Sequence, residues 1–225
     1  AAELCQKLFE DPKQYIGQEA LRRRWDLRAA SCRKAFDADP ANTELKVAVA
    51  RNLPYARKDE AIAMLREAAA QGNAEAHFQL YEHHKSWDRG DLDKVPLVTR
   101  TEAAEALRKA AELGHPFAMQ TLVRRLEDGD IVKRDPVAAR YWAERAVANP
   151  ARDTSKAGLL VTLGRLLAAS DKPEERARGL EILEGMSKAE VFGARRELAI
   201  AIRQEDPVRA RTLLEEARRP DPGGA

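Results

Sequence analysis

The chain has 225 residues, 44% of them hydrophobic and 34% charged, enough for one elongated domain or two small ones. Its 39 Lys and Arg nearly balance 37 Asp and Glu, for a formal net charge of +2, which argues against a dedicated nucleic-acid binder. No apolar run reaches the roughly 18–20 residues that cross a bilayer, and Val and Ile never form the alternating runs of a strand, so neither a membrane span nor a sheet is read.

Ala, Leu, Arg and Glu dominate and favour helix, because they lose little side-chain freedom there. The chain opens Ala1-Ala2-Glu3 without a Met, the small-residue pattern left beside a signal-peptidase cut; an artificially shortened chain reads the same. A short helix over Ala2–Phe9 ends before Asp11-Pro12, and a longer one covers Leu21–Asp37. Pro40-Ala41-Asn42 turns the chain into a helix over Glu44–Asn52. Both cysteines, Cys5 and Cys32, lie in this region. On neighbouring helical segments they suit a disulfide in an oxidising compartment, with two buried thiols of a cytosolic protein as the alternative.

An internal repeat follows. Ala61–Leu80 aligns without a gap on Ala103–Leu122, at an offset of 42 residues. Leu65, Arg66, the pair Ala68-Ala69, Gly72, Ala76 and Leu80 recur as Leu107, Arg108, Ala110-Ala111, Gly114, Ala118 and Leu122. The alanines let helices approach closely while the leucines fill the seam between them. Gly72 and Gly114 stand where a helix ends in a left-handed residue, and Pro116 suits a first turn. A third copy runs through Ala139, Trp142, Arg145 and Ala146 to Asn149-Pro150, which replaces the Gly turn, and on through Gly158 to Ala169 with Leu163-Gly164. A fourth carries Ala177 and Ile182-Leu183, a break near Gly185, then Phe192, Ala194 and Leu198. Pro207 to Arg218 reads as a lone closing helix, and the irregular stretch from Trp87 to Thr101 as an insertion in one repeat.

These residues resemble the Sel-one-like (SLR) repeat family, relatives of tetratricopeptide repeats. The resemblance lies in the Ala-Leu-Arg-Ala-Ala-Gly-[Asn/His]-Ala-Leu pattern of the two aligned segments and in Gly129 to Asp135 leading into Ala138-Ala139-Arg140-Tyr141-Trp142. Asp130-Ile131 stands where the family more often has a second Gly. The N-terminal segment, with Cys5, Cys32, Asp39-Pro40 and Asn42, resembles the opening of secreted bacterial members, in which the two cysteines would pair. The resemblance implies an all-α solenoid of antiparallel helix pairs and an adaptor role toward another protein, such as an envelope sensor or export-complex component. It implies no reaction.

The expected organisation is an N-terminal hairpin region over 1–57, a solenoid over 58–218 with an insertion loop at 87–101 and a closing helix at 207–218, and a flexible tail at 219–225. Periplasmic or secreted location is expected, with the cytoplasm as the alternative. The histidines His77, His83, His84 and His115 read as surface and groove residues, and the pair His77 and His84 as a minor candidate pH sensor. They lack the spacing of a metal site, no cofactor motif is present, and no serine sits in a nucleophile context. Trp25, Trp87 and Trp142 are too scattered to make a platform, and Trp142 reads as core.

The concave face of such a solenoid is the expected partner surface. Turned away from the Ala/Leu seam, its helices present Gln79 and Glu82, then Arg124 and Arg125, Arg165, Arg196 and Arg203, a stripe that becomes basic in the later repeats and suits acidic side chains. The alternatives from other classes are a polysaccharide-binding or carbohydrate-active solenoid and a structural linker in a larger complex.

Overall fold

A computed structural model of the chain describes residues 3, 5, 18–87, 97–150 and 156–218. Most of the expected Ala2–Phe9 helix, the middle of the 87–101 loop and the 219–225 tail lie outside the described residues. Every regular element among the described residues is helical. The chain packs as two compact units, Ala1–Ala118 and Met119–Ala225.

Unit 1 holds α1 (Gln18–Ala38), α2 (Thr43–Ala50), a 3₁₀ turn (Tyr55–Arg57), α3 (Lys58–Ala70), α4 (Ala74–Trp87), α5 (Arg100–Glu112) and the start of α6 (Pro116–Asp128). From α1 to α5 each helix packs on the next in sequence. Unit 2 continues with α7 (Pro136–Ala148), α8 (Lys156–Ala168), α9 (Pro173–Lys188), α10 (Ala194–Ile202) and α11 (Pro207–Ala217). Sequential neighbours from α7 to α11 again pack together, and α8 also touches α10. Contact between alternate helices is how stacked hairpins cover one another's apolar stripe.

The helix boundaries have local causes. Asn42, Thr99, Asp135 and Asp206 each accept a backbone N–H of the following first turn, and Pro136, Pro173 and Pro207 open helices where no N–H is needed. Leu65, Leu107 and Leu122 are fully buried and Leu80 nearly so, and the facing Ala68, Ala110, Ala118, Ala139 and Ala143 are fully buried too, as the repeat pattern requires. Cys5 and Cys32 are joined by a disulfide with 5.0 Å between their Cα atoms, packed with Ala35, Leu45 and Val49 at the start of unit 1.

Two expectations are corrected. The helix expected to break near Gly185 runs through it to Lys188. The turn comes at Glu190, which takes the left-handed conformation (φ 56°). Its N–H donates to Ser187 O and that of Val191 to Met186 O, as at a helix-ending glycine. A Gly inside a helix costs only about 1 kcal/mol, and burial of Leu183 and Ser187 on either side of Gly185 offsets that. Trp142 is half-exposed rather than core, edge-on to the exposed Tyr141. An indole with a polar edge settles readily at a boundary between core and water.

The helices of unit 2 come closest at a pair of glycines. A methyl group on Gly179 of α9 would lie 2.3 Å from Ala168 N and 2.7 Å from Gly164 O of α8. Only two residues without side chains allow this backbone-to-backbone approach.

Candidate functional site

The repeat turns of unit 1 carry a connected set of hydrogen bonds. Gly72 (φ 81°) and Gly114 (φ 88°) end α3 and α5. The residue after each glycine serves two helices. Asn73 N–H donates to Ala68 O behind it, while its side-chain oxygen accepts from Ala76 N–H ahead at 2.9 Å. His115 N–H donates to Ala110 O, while its Nδ1 accepts from Ala118 N–H at 3.1 Å. That bond assigns the tautomer: Nδ1 is the acceptor, so Nε2 carries the hydrogen and donates to Glu75 Oε2 at 2.8 Å. Asn73 Nδ2 also donates to Thr43 Oγ1 at the start of α2. One position in the repeat thus closes one helix, opens the next and ties a third.

Glu75 is the centre of this arrangement. Its Oε1 accepts from Arg51 Nη1 at 2.9 Å and from Gln79 Nε2 at 2.8 Å. Burial pushes its carboxyl up, but the hydrogen bonds from His115 and Gln79 and the charge of Arg51 outweigh that and hold it below the ordinary carboxylate range. The buried His115 ring stacks on Phe78 at 4.5 Å between centroids, and Phe117 stands 6.1 Å beyond it. Phe117 is 55% and Leu113 48% exposed. Arg51, Glu75, Leu113 and His115 line a groove of about 690 Å³, together with Cys5, the stretch from Asn42 to Ala48 along α2, and Pro116. Its wall carries the hydrogen-bonded Glu75 network, and Leu113 stands exposed on its lining.

A second groove in unit 1, of about 430 Å³, has an alanine floor (Ala69, Ala70, Ala106) and charged walls. There Arg66 makes a forked pair with Glu102 (2.8 and 2.9 Å) and donates to Leu97 O, which ties α3 to the start of α5. His77 lines the same groove, and burial followed by the nearby Lys109 lowers its imidazole pKa. Among the described residues, no group of three His, Cys, Asp or Glu is placed to hold a metal ion.

No protein-family model and no curated protein matches the sequence. Solved structures do match the fold, two of them as follows. One is a protective antigen present in uropathogenic Escherichia coli strains that displays an SLR fold, 21% identical, with a TM-score of 0.58 over 85% of this chain. The other is a Sel1 repeat protein from Oxalobacter formigenes, 20% identical, with a TM-score of 0.51 over 87% of this chain and 77% of that one. The chain has the Sel-one-like repeat fold. It spans 40% of the length of the E. coli protein.

Within the Sel-one-like repeats, the residues singled out from the sequence are distributed as follows. Gln79 is part of the Glu75 network, and Glu82 is half-buried one turn further along α4. Arg124 of α6 is exposed, whereas Arg125 is paired with Asp130 at 2.5 Å. Arg165 of α8 donates to both oxygens of Glu127 at 2.7 and 2.9 Å and lies 3.7 Å from Glu197 of α10. Carboxylates are therefore interleaved with the arginines in unit 2. Arg196 of α10 and Arg203, the residue that follows that helix, are exposed. His115, read as a groove residue, lines the groove and is also buried as a helix cap, because its ring nitrogen replaces the side-chain oxygen that usually caps.

Sequence reasoning passed over Arg51 and Glu75. The signal that could have found them is the Gly-[Asn/His] step shared by both aligned repeats, since a polar residue repeated straight after a helix-ending glycine points to a cap with an outward neighbour.

Proposed function

We propose that the chain is a protein-binding scaffold without catalytic activity, and that it holds an extended segment of a partner protein in the 690 Å³ groove of unit 1. The observation behind this reading is the exposed Leu113 on the lining of a groove whose wall is tied together by the Arg51–Glu75–His115 network. Burying exposed aromatic and aliphatic anchors beside fixed polar groups is where interfaces gain most of their affinity. A photo-crosslinking amino acid at Leu113, introduced in the native host, should form an adduct with one protein, and Arg51→Ala in the groove lining should remove it. No adduct at Leu113 would overturn the reading, and a retained glycan without protein would replace it with the polysaccharide-binding alternative.

The exposed Arg124 and Arg196, with Arg165 and Arg203, remain a second proposed contact surface for acidic segments in unit 2. Arg124→Glu with Arg165→Glu should abolish binding if that face is used, and unchanged affinity would remove it. The disulfide supports placement in an oxidising compartment, periplasmic or extracellular, and one similar structure belongs to a protective antigen. Thiol labelling of the native protein without reductant should find both cysteines protected; rapid labelling would place it in the cytoplasm. A structural-linker reading draws support from α10 and α11, where Ile200, Val208 and Leu214 are 44%, 78% and 37% exposed.

A further inference from the structure

We propose that α7 carries a docking point for an acidic segment of a partner protein, in which Arg145 takes a carboxylate while Tyr141 and Val137 take the neighbouring apolar side chain. Val137, Tyr141 and Arg145 follow one another at four-residue steps along one strip of α7, and all three are exposed, Val137 by 68% and Tyr141 by 53%. The Arg145 guanidinium carbon lies 4.9 Å from the Trp142 ring centroid and 5.7 Å from that of Tyr141, and its Nη1 donates to the Tyr141 hydroxyl at 3.2 Å. Two rings at right angles, 5.4 Å apart, thus fix the position of the charged group.

Its charge is not met by a carboxylate among the described residues. Arg66, Arg165, Arg178 and Arg209 all face carboxylates, as does Arg140 on the same helix, which pairs with Glu175. Among the described residues none supplies a carboxylate to Arg145, and the adjacent Glu144 is engaged by Arg178 at 2.9 Å. A guanidinium has five N–H donors in a fork that matches a carboxylate, and the Arg145 side chain is exposed. Because stacking already holds the side chain, a ligand that completes the fork orders little further. A single exposed ion pair contributes only about 0–1 kcal/mol, so affinity also requires burial of the Val137 and Tyr141 surface. The matching ligand is therefore Asp or Glu next to an apolar residue. This site is independent of the groove in unit 1.

A displayed library of random heptapeptides selected on the full chain, with its disulfide intact, tests the assignment. Recovered peptides should be enriched in Asp or Glu beside an apolar residue. Their affinity, read by fluorescence anisotropy, should fall about tenfold or more with Arg145→Gln, the loss of a charge-assisted pair. Arg145→Lys keeps the charge without the fork and should also weaken binding, as should Tyr141→Ala. Unchanged circular dichroism shows that these exposed positions leave the fold intact. Absence of acidic enrichment, affinity unmoved by Arg145→Gln, or full affinity with Arg145→Lys would overturn the site. So would recovery only of peptides lost with Arg51→Ala, which belong to the groove.

Discussion

At position 75 a carboxylate accepts hydrogen bonds from an arginine 24 residues before it, a glutamine four residues after it and a histidine 40 residues after it. The acidic form of Glu75 loses part of this network, so its lowered pKa has a definite linkage sign. A group with a depressed folded pKa contributes stability that is present above its unfolded value and lost as pH falls through the folded one. Glu75→Gln should therefore lower stability at pH 7 by about 1 kcal/mol. The gap to wild type should close as pH falls from about 4.5 through the carboxylate range. Urea midpoints against pH check this, and a constant gap down to about pH 3 would contradict it. Glu190 offers the opposite kind of residue effect. A non-glycine residue at φ 56° costs about 1 kcal/mol, so Glu190→Gly should stabilise by about 0.5–1 kcal/mol in urea unfolding, despite losing the exposed Arg195 pair. A loss of stability would mean that the ion pair outweighs the backbone.

Two glycines of α9 separate helix propensity from packing at the scale of the element. Nothing lies within 4 Å of a methyl group at Gly185, so Gly185→Ala should gain about 1 kcal/mol from propensity alone. At Gly179 the same change drives a methyl group into the backbone of α8 and should cost about 3 kcal/mol, because the two helices must move apart. Thermal unfolding of the two single variants measures both, and equal shifts would refute the close crossing of α8 and α9. The repeat pattern anticipated a small residue at Gly164 but gave no hint of Gly179, since its partner lies on another helix. The break expected near Gly185 and the turn found at Glu190 differ for a related reason. A glycine is the usual signal for a helix end, yet the helix ends where its buried stripe ends.

For the molecule as a whole, the disulfide fixes the start of unit 1 and leaves unit 2 without a covalent tie. Closing a loop across a separation of 27 residues contributes about 3–4 kcal/mol in the chain-entropy account. Cys5→Ser with Cys32→Ser should destabilise unit 1 by about that much. Hydrogen exchange should quicken in α1 and α2 while α8 to α11 keep their protection. Uniform loss of protection across both units would show that they unfold as one.

The amino-acid sequence by itself determined the helical class, the repeat, the seam leucines and the glycines that turn the chain, because each depends on neighbours within a turn or two of helix. It also placed Cys5 and Cys32 on segments near enough to pair. Only the tertiary structure decided that Glu75, Arg51 and His115 share one network, that α8 and α9 cross at two glycines, and that Arg145 rests on two rings with no carboxylate from the described residues. The first two join residues on different helices, where the side-chain period within one helix carries no information. Arg145 and Tyr141 do stand one turn apart on one helix, but whether an arginine at that spacing is paired or open depends on which carboxylates the neighbouring helices bring to it.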